Sequence, residues 1–214
     1  MKNVLSGWVL LASVMLCASA AFSADRTSHY TKLDFERDCK PLNDVEASGD
    51  TEPDVGGTFR CQGFRDYPII LKVGDLRESV QYGKIRQDLI DTAWESFAQW
   101  NVLNPTTEWR VKDGTPIAAI QRFFIENPDR DGNAPATQDR GRVLVVSLVA
   151  TEDNNGTGCV VGYVDARANK NANVLARELA DTVTPNHDCS IEPVFHAKRG
   201  PLSGTPSRSF PASN

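Results

Sequence analysis

Apolar residues recur at alternate positions over short stretches in the first half of the chain, a period that predicts strands. A first strand is expected over 30–35, carrying Leu33 and Phe35. A long loop rich in Pro, Gly, Asn and Ser follows, closed near Cys39. Three strands are then expected in quick order, over 58–64, 68–73 and 76–82. Pro68 is tolerable at a strand's first position, Gly74-Asp75 makes a turn, and Val80 and Tyr82 alternate with Ser79 and Gln81. The period then changes. Leu89, Ile90, Ala93, Trp94, Phe97 and Trp100 fall at helical spacing and predict an amphipathic helix over 86–100, its aromatic stripe packed in the core.

The pattern returns to strands at 108–112 and 117–125, joined through the turn dipeptide Asp113-Gly114. A polar loop leads to 142–150, almost wholly apolar and therefore a central strand, and 159–165 returns as its neighbour. Ala172, Leu175, Ala176, Leu179 and Val183 share one face of a helix over 172–183, which Pro185 ends. No crossover helix separates successive strands, which argues against a parallel sheet. The expected fold class is α+β: a meandering antiparallel sheet with two main helices packed on it, stapled by disulfides. Residues 25–197 form its single domain, and the Ser/Pro/Gly-rich stretch 198–214 is expected to be a disordered tail.

The first 24 residues change the picture of location. Lys2 is their only charge, an apolar run follows, and Ala18, Ser19, Ala20, Ala21, Ser23 and Ala24 crowd its end. This is the layout of a secretory signal, with cleavage sites after Ala20, Ser23 or Ala24. The apolar run, roughly 15 residues, falls short of the roughly 20 that span a bilayer. Lipid attachment through Cys17 is disfavoured by the bulk of Leu16. The mature chain is thus expected in the periplasm or secreted, free of the membrane. Without Lys2, 22 basic residues face 28 acidic ones, a balance that argues against nucleic acid as a partner. Four cysteines remain after Cys17 leaves, and two disulfides are expected in an oxidising compartment. Free buried thiols are the alternative; zinc is disfavoured because no CxxC is present. The pairing Cys159–Cys189 follows from a helix returning antiparallel over the strand that Cys159 opens. Cys39–Cys61 follows from neighbouring strands.

Candidate chemistry is sparse. The chain has no nucleophile elbow, metalloprotease helix, P-loop or dinucleotide fingerprint, and no cofactor is expected. His29, His187 and His196 lie in terminal or loop segments and read as exposed polar residues. Asn127, Asp129 and Asp131, with Gly132 behind them, have the opening spacing of a calcium loop. However, Gln138 stands where a bidentate glutamate is expected, the flanks read as strands, and the same residues are ordinary turn vocabulary. Asp165, Asn169, Asn173, Arg177 and Asp181 recur every four residues. They form either a solvated helix face, with Arg177 and Asp181 paired, or a recognition surface for a small ligand or partner. In the second case Asp165, Asn169, Asn173 and Arg177 are the binding residues.

Thr107-Glu108-Trp109-Arg110, 118–125, 143–147 and especially 162–169 with 172–177 carry a resemblance. Over roughly residues 60–189, the cysteines included, the chain resembles a family of uncharacterised secreted proteins of alphaproteobacteria. The resemblance implies a periplasmic setting and transfers no activity or site; the calcium-like loop is not part of its pattern. The function expected is a periplasmic binding or protein-interaction domain of the cell envelope, taking another envelope protein or a small ligand. The alternatives are a hydrolase using Asp165 with Asp181 or Glu178, a calcium-binding envelope component, or a purely structural one. A close, buried carboxylate pair in a pocket would favour the enzyme.

Overall fold

A computed structural model describes residues 26–42, 56–127 and 139–211. The expected signal segment therefore lies outside the described residues. The first half of the chain forms β1 (Arg26–Lys32), α1 (Phe35–Asp38), β2 (Cys39–Pro41), β3 (Gly57–Phe64), β4 (Tyr67–Gly74), β5 (Arg77–Tyr82), α2 (Gln87–Thr92) and β6 (Trp94–Phe97). The second half forms β7 (Asn101–Lys112), β8 (Thr115–Ile125), β9 (Gly141–Leu148), β10 (Val160–Asp165), α3 (Ala172–Thr182), β11 (Val194–Phe195) and β12 (Pro206–Ser209).

The strands make a six-stranded sheet, β1-β7-β8-β9-β10-β11, a four-stranded sheet, β2-β3-β4-β5, and the pair β6-β12. Neighbours within them are antiparallel, except that β11 joins β10 in parallel. The strand period of two sorts the side chains between layers. Ala119, Phe123 and Ile125 of β8 and Val143 and Val145 of β9 meet Ile69, Leu71, Val80 and Tyr82 of the smaller sheet in the central core. Their neighbours Ala118, Ile120, Leu144 and Val146 face the other way, onto Ala172, Ala176, Leu179 and Ala180 of α3. The small residues let α3 lie close: a Cβ on Gly162 would sit 3.0 Å from Leu179 Cδ2. Ile70, on the outer face of the smaller sheet, packs with Leu89, Ile90 and Ala93 in and after α2. Trp109 closes the centre, with its indole fully buried, edge-on to Tyr82 and donating to Thr31 Oγ1 at 2.8 Å.

The strand expected over 30–35 ends at Lys32, and Phe35 opens α1 instead. Three larger corrections concern the fold class, one helix and the C-terminal stretch. The molecule is more sheet than α+β implies, and its two longer helices cover opposite outer faces rather than one sheet. The helix expected over 86–100 stops at Thr92, and Trp94–Phe97 is a strand. Ala93 turns extended (ψ 137°), and Lys72 Nζ bonds the end carbonyls of Leu89 and Ala93. Trp94 is only half-buried and Trp100 is exposed, so the aromatic stripe is not all core. Thirdly, residues 198–211 are ordered rather than a loose tail. Here β12 pairs with β6, and Arg208 donates to Glu95 Oε1 at 2.8 Å with both side chains buried.

The two disulfides are Cys39–Cys61 and Cys159–Cys189. The first joins directly opposed residues of β2 and β3, and the second ties the start of β10 to the segment after α3. Bonded cysteines fit a compartment outside the cytoplasm. Among the described residues no helix is long and apolar enough to cross a membrane.

Candidate functional site

β7 is twelve residues long, but β1 covers only its second half, ending with Lys32 opposite Thr106. Pro105 has no N–H, and the register against β8 slips between Leu103 and Thr107. The first half of β7 therefore presents an open edge, and buried backbone donors there need acceptors. The end of the β4-β5 hairpin supplies them. Asn101 N–H donates to Leu76 O at 3.0 Å, and Leu103 N–H donates to Glu78 Oε2. Glu78 N–H donates in turn to Asn101 Oδ1 at 3.2 Å. On the other side Leu33 N–H donates to Pro105 O at 2.8 Å, bringing the β1-α1 corner up to the same edge.

These contacts enclose a cleft of about 560 Å³ between the two large sheets. Its walls are Leu33, Phe35, Ile69, Leu71, Val73 and Val80, and its floor includes Thr107 and Gln121. The floor is rigid. Gln121 Oε1 accepts from Thr107 Oγ1 at 2.7 Å and from Tyr82 Oη at 3.2 Å, and its amide nitrogen donates to Asn104 O. Burial pushes the Tyr82 phenol up, so it stays a neutral donor. At the rim stand Leu76, Trp100 and Val102, which are 62%, 40% and 41% exposed. Leu76 also sits at φ +58°, after Asp75 at +48°, in a two-residue hairpin loop whose geometry favours Asn or Gly. An exposed leucine there is strained and unburied at once.

Glu78 is a half-buried carboxylate of this cleft. Burial pushes it above the ordinary carboxylate value, opposed by the Leu103 N–H. Oε2 takes that N–H, and Oε1 has no partner among the described residues. The other charged groups at the cleft are Arg77, bonded to Asp75 at 2.5 Å, Glu126, bonded to Arg140 at 2.9 Å, and Glu36, which has no ion pair among the described residues.

The residues singled out from sequence lie elsewhere. Asp165 is 2% exposed and caps the end of β10: Oδ1 accepts from the amides of Arg167 (2.8 Å) and Ala168 (3.1 Å), and Oδ2 from Gly200 N (2.8 Å). Asn169 donates to Asp165 O and Lys198 O at 2.9 and 2.7 Å. Together they anchor the C-terminal segment. Asn173 accepts from Arg122 at 3.3 Å, while Arg177 pairs with Glu108 at 2.6 Å and reaches Tyr30 Oη at 3.0 Å. Asn169, Asn173 and Arg177 do share a shallow cleft of about 340 Å³ with Arg122 and Lys170; Asp165 does not line it.

Arg177 and Asp181 are not each other's partners, since Asp181 pairs with Arg110 of β7 at 2.7 Å. Asp165 precedes α3 and Asp181 is near its far end, about 14 Å along the helix at 1.5 Å per residue, so the two carboxylates do not meet. Glu178 is exposed. Of the calcium-like loop, Asn127 donates to Leu202 O at 3.2 Å and to Ile125 O at 3.4 Å. Asp129, Asp131 and Gln138 lie outside the described residues. Among the described residues no three His, Cys, Asp or Glu side chains cluster as metal ligands.

Sequence reasoning passed over Glu78, Leu76 and the cleft itself. The available signals were Leu76 beside a turn and Pro105 close to a strand. Comparison with protein-family models, with curated proteins and with solved structures finds no match to this chain.

Proposed function

We propose that the protein is a periplasmic binding module that takes a small, largely apolar ligand into the cleft between its two sheets. One observation carries this reading: an apolar-walled cleft of about 560 Å³, with a fixed polar floor, is ringed by three large exposed apolar side chains. That volume is typical of small-molecule sites, which are apolar with a few placed polar groups. Leaving Leu76, Trp100 and Val102 in water has a cost that a ligand or its tail would relieve. The two disulfides and the signal-like leader support the periplasmic setting, as does the resemblance to secreted alphaproteobacterial proteins. The carboxylates considered for hydrolysis are each engaged or isolated, which favours binding over catalysis.

The test is a titration of the mature protein with primary alkanols, followed by calorimetry. Affinity should rise with chain length, by about fourfold per methylene buried at roughly 0.8 kcal/mol each, until the cleft is filled. Val73→Trp, which fills the cleft from its β4 wall, should abolish binding while the thermal melt stays cooperative. Affinity that ignores chain length, or that survives Val73→Trp, would place the ligand elsewhere.

A further inference from the structure

The polar groups of the cleft are not neutral in sum. Among the described residues Glu78 Oε1 has no partner beside the apolar walls, and Glu36 on the adjoining wall has none either. The nearby cations each have one carboxylate partner, Arg77 through Nη2 to Asp75 at 2.5 Å and Arg140 through Nη2 to Glu126 at 2.9 Å, although the Nε of each has no partner among the described residues. An acid head group would find the unpaired Arg77 Nε, but it would also face two unmatched carboxylates. An alcohol could bond to Glu78 Oε1 but leaves its charge uncompensated. A protonated amine matches both the hydrogen-bonding need and the charge, and an aliphatic chain matches the walls.

We propose that the cleft selects amphiphiles whose head group is a protonated amine, held by Glu78 Oε1 with Glu36 adding to the negative field. This rests on the apolar-ligand reading above and specifies the ligand's polar end. The Leu103 N–H already fixes the Glu78 carboxylate, so its free oxygen is pre-oriented and the amine has little side-chain entropy to overcome. Burial raises the Glu78 carboxyl, and an arriving cation lowers it again, so amine binding should be accompanied by proton release wherever that carboxyl is partly protonated in the free protein.

The experiment compares decylamine and decanoate, each below its micellar concentration, and decanol below its solubility limit, on the mature protein and on Glu78→Gln. Glutamine keeps an oxygen for the Leu103 N–H and removes the charge. The amine should bind about tenfold or more tightly than the alcohol, and decanoate most weakly; hydrogen bonds to charged groups carry that much. In Glu78→Gln the amine should fall to the level of the alcohol, with decanol unchanged. Glu36→Gln, on the exposed α1, should reduce the amine preference by a smaller factor and serves if Glu78→Gln melts early. Decanoate binding as tightly as decylamine, or an amine preference untouched by either substitution, overturns the head-group assignment while leaving the apolar cleft in place. Failure of all three ligands to bind overturns the cleft reading itself.

Discussion

At the scale of single residues, Leu76 shows a conflict between stability and function. Its left-handed backbone costs an L side chain about 1–2 kcal/mol, and its side chain is left in water. Leu76→Gly should raise stability by roughly 0.5–1 kcal/mol, since the relief is partly offset by glycine's greater unfolded-state entropy. It should also weaken alkanol binding severalfold, because the rim loses an apolar contact. A variant that is neither more stable nor a poorer binder would show that Leu76 has no part in the site. Glu108 offers a second residue-level test. Burial pushes its carboxyl up, but Arg177, Ser28 and Tyr30 outweigh this and hold it below the ordinary value of 4.5. A depressed folded value means stability is gained above the unfolded value and lost as pH falls through the lower folded one. Glu108→Gln should therefore flatten the acid limb of the urea-midpoint profile as pH falls below the ordinary value of 4.5, with its main loss of stability near neutrality. None of this was visible in the chain order. Glu78 reads as one more polar residue within a strand, and Arg177 as a partner for Asp181 four places on. Arg177 pairs instead with Glu108, which β7 brings beneath the helix from 69 residues away.

At the scale of elements, most strands and α3 were legible because their period is unambiguous. Val80 and Tyr82 alternate inward, and Ala172, Ala176 and Leu179 repeat along one helix face. The stretch 86–100 was not, because Phe97 and Ala93 satisfy a helical spacing as well as an extended one. The choice was made by a remote partner. Glu95 is almost fully buried, and among the described residues its carboxylate is satisfied by Arg208 of β12 and the Val160 N–H. A strand at 94–97 both pairs with β12 and points Glu95 at that guanidinium. The tail looked disordered by composition because one arginine's value depends on a buried carboxylate over a hundred residues earlier. Arg208→Met should cost about 3–5 kcal/mol, because it strands a buried charge. Burial already pushes the Glu95 carboxyl up, and loss of Arg208 would push it further. Since a raised carboxyl penalises the fold above the unfolded value, the deficit of Arg208→Met should shrink as pH falls toward 4. Adding Glu95→Gln to Arg208→Met should recover part of the loss at neutral pH. A deficit independent of pH, with no recovery in the double variant, would mean that Arg208 acts through packing alone.

At the scale of the molecule, the cleft exists because two sheets meet unevenly. β1 stops short on β7, and the β4-β5 hairpin and the β1-α1 corner close on the uncovered edge. No local pattern encodes that meeting, so the site was illegible even where its strands were not. The disulfides divide along the same line. Cys39 directly follows α1, and its bond to Cys61 holds that short helix against β3, where Phe35 and Phe59 meet edge-on at 4.8 Å. Phe35 and Glu36 are part of the cleft wall. Cys159–Cys189 instead secures β10 to the segment after α3 and touches no part of the cleft lining. With sequence separations of 22 and 30 residues, the two bonds should contribute about 3 and about 3–4 kcal/mol through chain entropy. Removing either pair by paired Cys→Ala substitution should therefore lower the melting temperature by a similar amount. Their effects on binding should differ. The Cys39/Cys61 variant frees the α1 wall and should weaken decanol binding several times over, measured well below its melting temperature. The Cys159/Cys189 variant should bind decanol as the parent protein does. Equal binding losses in both would mean that affinity follows global stability, and equal retention in both would mean that the α1 wall keeps its place without the bond.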